Sequence, residues 1–118
     1  MKKLMILLFC VFCSTGAFSD EKKWIDTQGK VKNLSTYAHT ETVLVYLDNP
    51  GQSISQCTDT TAFAISHSIS SEARSRMFSL LLAAKAAGTP VTVSYLNTGD
   101  CEPWDASTSA YRKITRIR

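Results

Sequence analysis

Residues 70–96, SSEARSRMFSLLLAAKAAGTPVTVSYL, decide the fold class, because they set a single helix against a strand with a sharp stop between the two. Ser70 or Ser71 can cap the helix start through its hydroxyl, and Glu72 puts a negative charge in the first turn, where the helix dipole favours it. Gly88 and Pro90 end the helix, the first by tolerating a left-handed backbone and the second by lacking an amide hydrogen. Ala73, Met77, Leu80, Leu81 and Ala84 recur at helical spacing and are expected to face a core, with Arg74, Ser75 and Lys85 outward. From Pro90 the period changes to two: Val91, Val93 and Tyr95 share one face of a strand over 90–96.

Working back from the helix, residues 62–66 (AFAIS) form a short strand candidate. Residues 42–47 (TVLVYL) form the clearest strand, apolar on both faces and therefore central in a sheet. The β-favouring stretch 29–37 (GKVKNLSTY) is another strand, but Val31 and Leu34 break the two-residue period, so a bulge is expected near Asn33. Asp48-Asn49-Pro50-Gly51 reads as a turn, and the polar stretch 52–61 as a long connection. Trp24 is the first residue large enough to tie the N-terminal side to a core. Beyond the helix, 97–109 reads as a loop rich in Gly, Asp, Pro and Ser, and 111–117 (YRKITRI) as the last strand. Three antiparallel strands, a helix and two further strands are the connectivity of a five-stranded Greek-key barrel of the oligonucleotide/oligosaccharide-binding (OB) type, with the helix between strands 3 and 4. The alternative is an open α+β sandwich with the helix across one sheet.

The first nineteen residues read as an export leader. Lys2 and Lys3 precede an apolar run over 4–13, and Ala17 and Ser19 are small residues at the −3 and −1 positions of a cleavage site before Asp20. That run is too short to span a bilayer, so no membrane span is expected. The remainder, 20–118, is large enough for a single domain with one core, located in the periplasm or secreted. Without Lys2 and Lys3 it carries 11 Lys and Arg against 10 Asp and Glu, a balance that creates no strong attraction for polyanions. Removing the leader also removes Cys10 and Cys13. Cys57 and Cys101 are left in an oxidising compartment and are expected to pair.

Trp24 with Gly29-Lys30-Val31, the 43–46 strand (VLVY), Cys57 followed by Phe63, the helix end LLAAKAAG over 81–88, then Val91-Thr92-Val93 and Cys101 resemble small exported bacterial proteins similar to the B subunit of subtilase cytotoxin. The resemblance spans nearly all of 20–118. It implies a barrel of this class, a disulfide, and, as in the toxin, a ring of five copies that binds sialylated glycans and carries a catalytic A subunit. It transfers no sugar-contacting residue.

The densest candidate site is the acidic loop around Cys101, where Asp100, Glu102 and Asp105 surround Trp104. An indole offers an apolar platform to the C–H face of a pyranose, and carboxylates accept its hydroxyls, which is the pairing a sugar site needs. A solvated loop pinned by the disulfide, with Trp104 covering one end of the core, is the plainer alternative. Paired carboxylates could also hydrolyse a glycoside, but that chemistry needs a cleft and two tuned pKa values that so small a domain rarely builds.

His39 and His67 lie far apart in sequence without metal-ligand spacing, and read as surface or capping residues. No nucleophile motif is present, so an enzyme, a metal and a cofactor are not expected. Arg112, Lys113, Arg116 and Arg118 with Tyr37, Tyr46, Tyr95 and Tyr111 could imitate a single-strand nucleic-acid groove, but export and near-neutral charge favour an edge strand blunted by charge. Asn33-Leu34-Ser35 matches an N-glycosylation sequon, relevant only in a cell that glycosylates exported chains. Met77, Leu82, Ala83, Ala86 and Ala87 extend the helix's apolar character beyond one stripe, which suggests a contact between subunits of a closed ring or simply a small-residue helix over a barrel mouth.

The function expected from these features is an exported, noncatalytic binding module: a ring-forming toxin-B-like subunit, as a homo-pentamer, recognising a glycan or cell-surface protein. The alternative is a periplasmic structural or inhibitory domain that docks another protein.

Overall fold

The computed structural model describes residues 23–118, and the expected leader over 1–19 lies outside them. Seven strands and one helix follow in the order β1 (Trp24–Tyr37), β2 (Thr40–Leu47), β3 (Phe63–Ile65), α1 (Ser71–Ala87), β4 (Pro90–Leu96), β5 (Cys101–Trp104), β6 (Ser107–Lys113) and β7 (Arg116–Ile117). They form one curled mixed sheet, ordered β5-β6-β3-β2-β1-β4-β7. Residues 23–118 are therefore mainly β, with one helix between β3 and β4.

The curl begins in β1, which serves two neighbours in turn. Its first half, from Trp24 to Lys30, pairs antiparallel with β4, and its second half, from Val31 to Tyr37, pairs antiparallel with β2. The hand-over coincides with a register shift between Val31 and Asn33, the expected bulge, which bends the strand and strengthens its twist. β3 runs antiparallel to β2 but parallel to β6, which makes the sheet mixed. Residues 114–115 bridge the far sides of the curl: the Ile114 amide donates to Ala64 O of β3 at 2.8 Å, and the Thr115 amide to Ser94 O of β4 at 2.7 Å.

Seven strands stand where five were expected, and both additions come from the C-terminal third. Trp104 pairs with Ser107 across a two-residue turn in which Asp105 adopts a left-handed backbone (φ 51°), a conformation Asp tolerates better than most residues. This turn makes β5 and β6 a hairpin out of the expected loop 97–109. The last expected strand divides at Ile114 and Thr115 into β6 and β7, because the chain changes partner from β3 to β4 there.

The helix matches its local signals. The Ser70 hydroxyl accepts from the Ala73 amide at 3.1 Å, and Gly88 (φ 70°) closes the C-terminus by donating to carbonyls of the last turn. Its buried residues are Leu81 and Ala84, with Met77 and Phe78 partly buried. Leu80 is exposed instead of buried, at 42%, and Leu82, on the opposite flank of the helix, is exposed at 50%. Arg74, expected outward, is covered: its guanidinium donates to the carbonyls of His67 at 3.2 Å and Ile69 at 3.0 Å, and pairs with Glu41 at 2.6 Å, anchoring the helix start to the segment before it.

The core lies inside the curl and is built from Val43, Val45, Leu47, Phe63, Ile65, Leu81, Val91, Val93, Tyr95 and Ile114. Ile54 and Cys57 fold the 48–62 connection onto it. Gly51 (φ 73°) makes that approach close, because a Cβ there would stand 2.4 Å from Thr27 Oγ1 and 3.0 Å from Tyr95 Oη. Cys57 and Cys101 form the expected disulfide, with Cα atoms 5.7 Å apart, and pin the start of β5 to the connection. Trp24 contributes less than expected: it is 48% exposed, with Arg116 held 4.7 Å over its ring. No helix among the described residues is long and apolar enough to cross a membrane.

Candidate functional site

The β5–β6 hairpin carries the acidic loop singled out in the sequence and separates its members. Glu102 turns inward and is fully buried, whereas Trp104 is half-buried and Asp105 exposed at the turn. A register shift between Glu102 and Trp104 uncouples the two side chains, which strict alternation would have placed on one face. Asp100 lies apart from both, paired with Lys113 at 3.3 Å. Of the four expected ligand-binding residues, Trp104 and Asp105 therefore share a cleft, Glu102 braces its wall from within, and Asp100 belongs elsewhere.

That cleft has a volume of 310 Å³ and is lined by His39, Thr40, Thr42, His67, Pro103, Trp104 and Asp105. One side is aromatic. The Trp104 ring meets Tyr37 at 5.0 Å, His39 at 5.5 Å and Tyr111 at 5.6 Å, each edge to face, an arrangement that fixes a ring's orientation through the quadrupoles of its neighbours. Burial pushes the Tyr111 phenol up, with the Asp59 carboxylate adding to the effect, so it remains a neutral hydroxyl.

The other side is polar and depends on Glu102. Its Oε2 accepts from the Thr42 hydroxyl at 2.5 Å and from the His67 amide at 3.0 Å, and lies 2.5 Å from His67 Nδ1. Burial acts to raise the Glu102 carboxyl, but the hydrogen bonds from Thr42, His67 and Ser66 together outweigh it and hold the group below the usual glutamate range. Oε1 has no partner among the described residues. His39, already against the Trp104 ring, has its Nε2 3.7 Å from Asp105 Oδ1 at the turn. The arrangement can therefore present a rigid apolar ring on one side and hydrogen-bonding groups on the other.

His39, His67, Thr40 and Thr42 were not legible as site residues. His67 and Thr42 lie 35 and 60 positions from Glu102, and nothing local to a lone histidine marks a carboxylate so remote. The nucleic-acid groove weighed from sequence loses two members to the interior, since Tyr95 and Arg112 are each 1% exposed. Asn33 of the sequon is exposed at the β1 bulge. Among the described residues no group of three His, Cys, Asp or Glu side chains is placed to hold a metal ion.

Comparison of the chain with protein-family models, with curated proteins and with solved structures gives no match in any of the three. The functional reading therefore rests on the fold and the cleft themselves.

Proposed function

We propose that this chain is an exported, noncatalytic binding module that holds a glycan against Trp104, working as a toxin-B-like subunit in a homo-pentameric ring. The observation that carries the reading is the 310 Å³ cleft, whose lining joins an indole oriented by three neighbouring rings to threonine hydroxyls, two histidines and the Asp105 carboxylate. Sugar recognition needs this combination of a stacking platform and polar groups that orient the ligand. A barrel of the OB type is the matching architecture. It is supported by a first strand shared between β2 and β4, the parallel β3–β6 pair and the helix between β3 and β4.

A binding role, not a catalytic one, is supported by the state of Glu102. Its Oε2 is engaged by Thr42 and His67 and its side chain is enclosed, so it braces the wall of the cleft and does not meet a ligand directly. Export to the periplasm or beyond is supported by the leader and by the disulfide, which persists in oxidising compartments. The ring is supported by Leu80 and Leu82, exposed leucines on opposite flanks of the helix, each of which a neighbouring subunit could cover. The same two leucines favour the second reading, a structural or inhibitory domain that docks a different protein through its helix.

A glycan array probed with residues 20–118 tests the first reading, with Trp104→Ala as the paired variant. Binding that the substitution abolishes is the expected result, and an array without signal removes the glycan. Light scattering of the same material separates the two readings: a mass of five chains, reduced to one by Leu82→Glu, supports the ring, and a monomer favours docking to another protein.

A further inference from the structure

Val43, Val45 and Leu47 of β2 point into the core, so the alternate residues Thr42, Leu44 and Tyr46 point out of the curl. Thr42 lines the cleft described above. Tyr46 lines a second cleft, of 410 Å³, together with Lys32, Asn33, Asp48, Pro50 and Thr61. Four residues of strand separate Thr42 from Tyr46, about 13 Å at the usual rise. The β1 bulge forms the lip of the second cleft: Lys32 is the extra residue between Val31 and Asn33, and Lys32 and Asn33 are both exposed.

Aromatic rings join the two clefts. Val45, Phe63 and Arg112 stand in one row across β2, β3 and β6, which places Tyr46, Ala62 and Tyr111 in the next. Ala62 is fully buried, and the half-buried tyrosines flank it on either side. Burial pushes the Tyr46 phenol up, with Tyr37 and Asp59 adding to the effect, and Asp59 and Tyr46 act in the same way on Tyr111. Both phenols are thus neutral hydroxyls near one another. Tyr111 in turn meets Trp104 at 5.6 Å. The rings of Trp104, Tyr111 and Tyr46 therefore lead across the outer face of the sheet from one cleft to the other.

A chain of sugars suits this track better than other polymers do. Successive rings take the C–H faces of successive pyranoses, while the phenols and the polar groups of both clefts bond their hydroxyls. A peptide that adds a strand needs a free sheet edge, whereas β2 and β3 are each paired on both sides. A single-stranded nucleic acid needs a basic groove. Here Asp48, Asp59 and Asp105 stand along the track against Lys32 and a Lys113 already paired with Asp100.

We infer that the ligand is an oligosaccharide of several sugars that runs from the Trp104 cleft over Tyr111 and Tyr46 into the second cleft, where Tyr46, Lys32 and Asn33 form an outer subsite. This rests on the glycan-binding reading above and adds to it the length of the ligand and a second place of contact.

The test is an array that carries each glycan as a ladder from one sugar to six, probed with residues 20–118 over a range of concentrations. Half-saturation is expected at a concentration at least about tenfold lower for the long members than for the single sugar, the factor that one or two added hydrogen bonds are worth. Tyr46→Ala is expected to remove most of that gain. The double variant Lys32→Ala/Asn33→Ala, which changes only exposed side chains, is expected to reduce it with an unchanged circular dichroism spectrum. Trp104→Ala is expected to weaken every length.

Affinity that stays level from one sugar to six overturns the outer subsite and leaves the glycan reading standing. So does an equal loss at every length in the double variant, which a purely structural role would produce. An array without signal, or a single-stranded oligothymidine that binds more tightly than any sugar, overturns both the glycan reading and the subsite built on it.

Discussion

The guanidinium carbon of Arg112 lies 4.1 Å above the centroid of the Phe63 ring, and both side chains are fully buried. Nη1 donates to Pro50 O at 2.7 Å and Gln52 O at 3.0 Å, and Nη2 donates to Ala62 O at 3.2 Å. Burial lowers the Arg112 pKa, with the Tyr95 hydroxyl and the Asp59 carboxylate opposing that effect, yet guanidinium stays charged at any ordinary pH. The charge is thus solvated by backbone carbonyls and ring faces and joins both ends of the 48–62 connection to β6.

Arg112→Met should therefore destabilise the domain by about 3 kcal/mol or more, because it leaves buried carbonyls without donors. For a domain of this size the melting temperature should fall by at least about 12 °C. Arg112→Lys should recover only part of the loss, since one ammonium cannot match the planar fork that reaches three carbonyls. Calorimetric unfolding of the three proteins checks this, and a melting temperature within a few degrees for Arg112→Met would refute it.

Glu102 should make stability depend on pH. Its carboxyl titrates lower in the folded chain than in the unfolded one, so the stabilisation is fully present above the unfolded value and is lost as pH falls through the folded value. Glu102→Gln should cost about 2 kcal/mol at pH 7, the usual scale for hydrogen bonds to a charged group. The gap between the two proteins should shrink toward pH 2. Urea midpoints across that range measure it, and parallel curves would show that the carboxylate is not responsible.

Breaking the Cys57–Cys101 bridge frees a loop closed over a separation of 44 residues. The chain-entropy model puts the loss at about 4 kcal/mol, a large share of the stability of a small domain. The double Ser variant should unfold at markedly lower urea, with the β5–β6 hairpin losing amide protection first because the bridge is its tie to the 48–62 connection. Hydrogen exchange read by mass spectrometry locates the change.

Gly51→Ala should destabilise by about 2 kcal/mol from the left-handed backbone and the crowding together. The new methyl would press on Thr27 Oγ1 and Tyr95 Oη, and Tyr95 Oη exchanges hydrogen bonds with the backbone of Gln52, at 2.9 Å from its amide and 2.8 Å from its carbonyl. Gly88→Ala shares the positive φ but meets open space, so it should cost less. Equal losses at the two positions would show that crowding at Gly51 plays no part.

Most of the helix and the central strands were legible, and the candidate site only in part. Ser70, Gly88 and the alternation in 90–96 act through their own neighbours, so their signals survive in a linear reading. Leu80 and Arg74 were misplaced because a helical period alone does not say how wide the buried stripe is, or that carbonyls of 67–69 would lie within reach of a guanidinium. Trp104 and Asp105 were found through their shared loop. Glu102 looks like a surface acceptor in the linear sequence because its donors come from β2 and from the segment before the helix, both remote in the chain.

By itself the sequence determined the local elements and the one pairing of Cys57 with Cys101, because caps, period and cysteine count act through nearest neighbours or simple arithmetic. Only the tertiary structure decided that β1 divides between β2 and β4, that β3 runs parallel to β6, that the 97–109 stretch forms a hairpin, and that His67 meets Glu102. Those features depend on hydrogen bonds between residues far apart in the chain, whose free energy is gained only after the sheet has curled and brought them within 3 Å of each other.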